Sequence, residues 1–149
     1  MKIWVDADAC PRDVKDVIYK VAERKQVHVV LVSNGNLTLP RSPLLSSVRV
    51  AQGLDVADGY IVQHAQSGDL AVTQDVPLAA ELVPRGITVL DPRGELYDAD
   101  SVKERLAMRD LMKELRDSGV VTGGPKAWDA RDKQQFANAL DRVLARFKA

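Results

Sequence analysis

One cysteine, Cys10, stands in the whole 149-residue chain. It has no second thiol to pair with, which excludes an internal disulfide framework and a cysteine-built zinc site and suits a reducing, cytoplasmic setting. Aromatic residues make up only 5%, and Trp4 and Trp128 are too far apart in the chain to spell a base-stacking platform. No apolar run approaches the ~20 residues of a membrane span. The chain starts directly on the strand-like Lys2-Ile3-Trp4-Val5, so neither a membrane partner nor a leader is expected. Net charge is also lacking, with 21 basic and 21 acidic residues.

That neutral total hides an asymmetry. Residues 1–100 hold 10 Lys/Arg against 14 Asp/Glu, and residues 101–149 hold 11 against 7. Charge acts where it sits, so the balance does not exclude a polyanionic partner. The content is otherwise that of a globular protein, 46% apolar and 28% charged. The length predicts a single domain over 1–149, with 101–149 as a basic helical extension packed on it.

Hydrophobic periodicity orders the elements. Strands are predicted at 2–5, 27–32, 48–51, 70–73 and 87–90. Between them Val14, Val17, Ile18, Val21 and Ala22 mark a helix that Pro11 can open, and further helices are predicted over 55–66 and 76–83. Strands alternating with helices imply a mainly parallel sheet of four or five strands with helices on both faces. Two C-terminal helices follow. The first, over 101–117, shows the capping-box spacing Ser101-x-x-Glu104. The second carries Phe136, Leu140, Val143, Leu144 and Phe147. Both are expected to pack on the sheet, through Leu106, Leu111, Leu115, Phe136, Leu140 and Leu144.

The chemistry-bearing residues are acids. Asp6 and Asp8 end the first strand, where open parallel sheets place ligands. Asp55 and Asp58 are three apart and share a helix face. Asp75 follows the fourth strand, whereas Asp69 precedes it and belongs at the opposite edge. Carboxylates gathered at one edge repel, and a divalent cation relieves the repulsion. With His28 and His64 the only histidines, all-oxygen ligands favour Mg²⁺ or Mn²⁺. Such ions serve phosphoryl transfer and phosphodiester hydrolysis. Each aspartate also has a plainer role available, as a helix cap or turn residue.

Asp6-Ala7-Asp8-Ala9-Cys10-Pro11, with Thr122-Gly123-Gly124-Pro125, Phe136 and Leu140-Asp141, resembles the signatures of the YaiI/YqxD family of uncharacterised bacterial proteins. More distantly, Asp55-Val56-Ala57-Asp58-Gly59-Tyr60-Ile61 and Leu70-Ala71-Val72-Thr73-Gln74-Asp75 resemble the middle of PIN-like domains, which are metal-dependent ribonucleases. That resemblance implies a three-layer fold. It implies Asp6, Asp58 and Asp75 as catalytic acids, and Mg²⁺ or Mn²⁺ held by them with Asp8 and Asp55. The further acid often found downstream in PIN domains is replaced here by Val76-Pro77-Leu78, with Asp8 and Asp91 as stand-ins.

RNA is the expected partner, and association with a second copy is left open. Ser33 and Asn34 end the second strand beside Asp6 and suit a phosphate or a metal-bound water. Gly123-Gly124-Pro125-Lys126 suits a phosphate nest, and Arg109 with Lys126 belongs to a basic set fit for a nucleic-acid backbone. Two other readings stand beside the nuclease. One is a non-catalytic RNA- or protein-binding module. The other is a phosphatase of the haloacid dehalogenase type, because Val5-Asp6-Ala7-Asp8 resembles that family's nucleophile motif. Cys10 is expected to be a buried bystander.

Overall fold

The computed structural model describes residues 1–53, 56–119 and 127–147. Six strands form one sheet: β1 (Lys2–Asp6), β2 (His28–Ser33), β3 (Leu45–Arg49), β4 (Leu70–Val72), β5 (Thr88–Leu90) and β6 (Leu96–Tyr97). Their order is β3-β2-β1-β4-β5-β6, with β6 alone antiparallel. Five α-helices lie among the described residues: α1 (Arg12–Lys25), α2 (Val56–His64), α3 (Val76–Leu82), α4 (Ala99–Asp117) and α5 (Ala130–Phe147). This is a three-layer α/β architecture, consistent with the PIN-like fold. No described helix is long and apolar enough to cross a membrane.

The layers follow from strand alternation. Ile3, Val5, Val29, Leu31, Leu70 and Val72 face one side, where α1 and α5 cover them with residues such as Ile18 and Phe136. Trp4, Val30, Val32, Ala71 and Val89 face the other, beneath Ile61 of α2, Leu78 and Leu82 of α3 and Val102 of α4. Both faces of β1 and β2 are therefore buried, which is why those strands read as unbroken apolar runs.

Four details depart from the sequence reading. A sixth strand, β6, follows the turn at Asp91; two residues are too few to show alternation. β3 runs over Leu45–Arg49 rather than 48–51, because this edge strand has only two apolar residues, Leu45 and Val48, on opposite faces, and reads as a serine-rich loop. The capping box of α4 is made by Asp98 and Ser101, not by Ser101 and Glu104. Asp98 accepts from the Asp100 and Ser101 amides, and its own amide donates to Ser101 Oγ.

The fourth concerns α4, which does not pack through Leu106, Leu111 and Leu115. Val102 is its one buried residue. Leu111 is 49% exposed and Leu106 and Leu115 are half-buried. The helix is docked at its first turns only, so its later apolar stripe never reaches the sheet. Phe136, Leu140 and Leu144 of α5 are buried as expected.

Asp69 lies at the amino edge of the sheet, opposite Asp6. Its carboxylate accepts from the Lys2 amide (3.0 Å), Trp4 Nε1 (3.0 Å) and the Gln66 amide (2.9 Å). Burial pushes this carboxyl up, but the bonds from Gln66, Trp4 and Lys2 outweigh it and hold it below its ordinary value. An acid lowered in the folded state stabilises above its unfolded value, and the gain is lost as pH falls through the folded one. Asp69→Ala strands three donors and is expected to cost about 3 kcal/mol at pH 7. The difference from wild type should shrink below pH ~4. Urea unfolding at both pH values checks this; a loss independent of pH would assign the effect to packing alone.

Candidate functional site

The strand order reverses between β1 and β4, and at such a switch point the following connections diverge and leave a crevice at the carboxyl edge. A cleft of about 310 Å³ lies there, lined by Asp6, Asp8, Asn34, Asp58 and Asp75 with the small residues Ala9, Gly53 and Ala57. Three segments deliver the acids. β1 ends in Asp6 and continues into a 3₁₀ turn holding Asp8, the first turn of α2 supplies Asp58, and Asp75 caps α3.

Asp6 is nearly buried, at 7% exposure. It is in step with Trp4 along β1, so it belongs to the face covered by α2 and α3. Thr73 Oγ1 donates to Asp6 Oδ2 (3.1 Å) and accepts from the Asp75 amide (3.0 Å), so one hydroxyl ties the ends of β1 and β4 together. Burial pushes the Asp6 carboxyl up; the Thr73 bond pulls it down, and the charges of Asp75 and Asp8 push it up again, for a net rise. The position holds a carboxylate at an energetic cost.

Asp75 Oδ1 accepts from the Leu78 amide (2.9 Å), so this residue does cap its helix while lining the cleft. Asp8 is exposed but held: Ser33 Oγ donates to Oδ1 (2.9 Å) and the Asn34 amide to Oδ2 (2.7 Å). Ser33 is itself buried and is not among the cleft residues. Asn34 Oδ1 is buried without a hydrogen-bond partner among the described residues. It is a hard oxygen donor at the cleft, and that unmet acceptor together with the carboxylates fits Mg²⁺ or Mn²⁺ in donor chemistry. Among the described residues no group of three or more His, Cys, Asp or Glu is arranged to hold a metal by itself.

The other candidates sit elsewhere. Asp55, Gly123, Gly124 and Lys126 lie outside the described residues. Arg109 is on the exposed part of α4, 3.8 Å from Asp110, and is not among the cleft residues. Asp91 is buried in the β5–β6 turn, where Oδ1 accepts from the Arg93 and Glu95 amides. Cys10 is buried, and burial pushes its thiol up to about 12, against the pull of Lys15, so it stays protonated. Thr73 was not legible as a site residue. Its only sequence signal is a hydroxyl two positions before an aspartate at a strand end, a common turn pattern.

The three-layer fold with an acidic cleft at its switch point defines a class of α/β domain. Within that class, the chain belongs to the family described as "Uncharacterized BCR, YaiI/YqxD family", which it matches over residues 4–146. It is 61% identical over 146 residues to a UPF0178 protein of Myxococcus xanthus, covering 98% of this chain and 95% of the relative. A UPF0178 protein of Shewanella sp. strain MR-7 is 54% identical over 147 residues, covering 99% and 97%. One from Bordetella petrii is 54% identical over 144 residues, covering 97% and 96%. No solved structure matches.

Proposed function

We propose that the protein is a metal-dependent nuclease that hydrolyses RNA phosphodiester bonds in the cleft at the β1/β4 switch point. One observation carries the reading: four aspartates from three separate segments line that cleft, and Asp6 is kept there although burial and its acidic neighbours oppose its charge. A structural network would satisfy such a carboxylate, as the amino-edge Asp69 is satisfied.

Asp6, Asp58 and Asp75 would be the principal ligands for Mg²⁺ or Mn²⁺, with Asp8 and the Asn34 amide oxygen assisting. A cage of three direct carboxylates is not required, because Mg²⁺ keeps several waters and commonly takes one or two carboxylates plus substrate phosphate. When bound, the ion supplies positive charge that acidifies a water and stabilises the leaving oxygen. The protein's part is placement. Thr73 holds Asp6 in line with the Asp75 segment, and Ser33 with the Asn34 amide fixes Asp8 at the rim.

The test is cleavage of labelled single-stranded and hairpin RNA. Cutting is expected with Mg²⁺ or Mn²⁺, lost in EDTA and regained when metal is returned. Cutting that persists in EDTA would refute the metal mechanism. A second reading, a binding module without catalysis, draws on the capping bond that engages Asp75 Oδ1. It is the conclusion if no RNA or DNA is cut under any metal.

A further inference from the structure

Beside the acidic cleft the outer face of α1 carries a groove. It consists of two adjoining hollows of about 560 and 710 Å³ that share Asp16, Tyr19 and Pro40. The end nearer the cleft is lined by Arg12, Lys15 and the 37–40 segment, the far end by Lys20, Arg24 and Lys133. Chain continuity keeps one end of the groove near the cleft: Arg12 is three residues beyond Ala9, and Leu37 three beyond Asn34, a backbone reach of at most about 11 Å, and both Ala9 and Asn34 line the cleft.

The charges are uneven along this path. Arg24 is paired with Asp141 at the far end, and Glu23 lies beside it. Asp16 is the one acid where the two hollows meet. Arg12, Lys15, Lys20 and Lys133 make no ion pair among the described residues, so four cations lie open along the groove. Tyr19 lies half-buried between the cationic ends, its ring anchored against the core formed by α1 and the sheet. From Arg12 to Arg24 the helix rises about 18 Å, room for a few nucleotides of an extended strand. Cations that follow a backbone, with an aromatic face between them, are the recurrent arrangement for single strands.

We infer that this groove holds a single-stranded polynucleotide as it leaves the acidic cleft, with Arg12 and Lys15 on its phosphates and Tyr19 beneath a base. The inference rests on the nuclease reading for the direction of the strand. It places the phosphate contacts on α1 rather than on Arg109 of α4.

Fluorescence anisotropy in EDTA tests it, using a labelled oligouridylate, a DNA strand of the same length and an RNA duplex. Arg12→Ala with Lys15→Ala is expected to weaken strand binding about tenfold at low salt and to lower the slope of log affinity against log salt by about 1.4. Tyr19→Leu keeps an apolar side chain against the core and should weaken binding several-fold with the slope unchanged. Both proteins should unfold at the wild-type temperature. RNA and DNA strands should bind alike, because phosphates and base faces are common to both. Tighter binding of the duplex, a DNA strand left unbound, or affinities unchanged in both variants would overturn the groove. The two readings fail separately. Cleavage with kcat/KM unchanged in the Arg12/Lys15 variant removes the groove and keeps the nuclease. Strand binding that depends on Arg12 and Lys15, without cleavage in Mg²⁺ or Mn²⁺, does the reverse.

Discussion

Asp6→Asn is expected to abolish RNA cleavage, by about 10³-fold, while making the protein harder to unfold. The two effects have one cause. Asn keeps the shape and can still accept the Thr73 hydroxyl, but it removes the charge that burial, Asp75 and Asp8 all oppose. Measured in EDTA at pH 7, the gain should be about 1 kcal/mol, or an unfolding temperature about 2–4 °C higher. The sign of the pH dependence follows. An acid raised in the folded state weakens it once ionised, and that weakening disappears as pH falls through the folded value to the unfolded one. Wild type and variant should therefore converge below pH ~4. A variant that unfolds earlier than wild type at pH 7 would mean that the Asp6 charge supports the fold, and the argument for a functional carboxylate there would fail.

The second large effect is expected at Gly94, in the turn between β5 and β6. Its φ is +90°, and a Cβ there would lie 2.7 Å from the Gln135 carbonyl carbon and oxygen and 2.9 Å from the Phe136 amide. The turn is pressed onto the backbone of α5. Around it Arg93 pairs with Asp132 at 3.0 Å and Trp128 Nε1 donates to the Pro92 carbonyl at 2.9 Å. Gly94→Ala adds left-handed backbone strain to a clash with atoms that cannot turn aside. Together these are expected to cost about 3–4 kcal/mol and to lower the unfolding temperature by roughly 10 °C. Gly68→Ala separates the causes, since Gly68 has a φ of +93° with nothing within 4 Å. It should lose only about 1–2 kcal/mol. Equal losses at the two positions would show that backbone strain, not crowding, sets the cost at Gly94.

How far these features could be read from the sequence depends on how local their causes are. β1, β2 and α1 were legible because burial on both faces, or on one helical stripe, writes itself directly into the residue pattern. The mainly parallel sheet followed from that alternation of elements. α4 misled for the opposite reason. Periodicity says that a helix has an apolar stripe, not that anything meets it, and Leu111 stands exposed while Val102 makes the contact. The positions of Asp6, Asp8 and Asp75 around one cleft could be anticipated from strand ends, and that of Asp58 from the start of the middle helix. What organises them could not. Thr73 bridges two strands through a single hydroxyl, and Ser33 serves Asp8 across 25 positions of sequence. Both depend on sheet register, which no window of residues displays.

The layer beneath α1 has a consequence for the order in which the protein is made. Phe136, Ala139, Leu140, Val143 and Leu144 complete the core on that face, and all lie in α5. A ribosome delivers them after every described strand and the other four described helices. Until they emerge, the nascent sheet carries one face covered by α1 and by Leu37 and Leu39 but not by α5, which leaves the core around Ile3, Val5, Leu70 and Val72 incomplete. Synthesis therefore passes through a stage with exposed apolar surface, the kind of surface that chaperones bind and that drives aggregation when translation stops early. The cleft acids precede that stage in the chain, but the sheet that aligns them gains its last layer only after it.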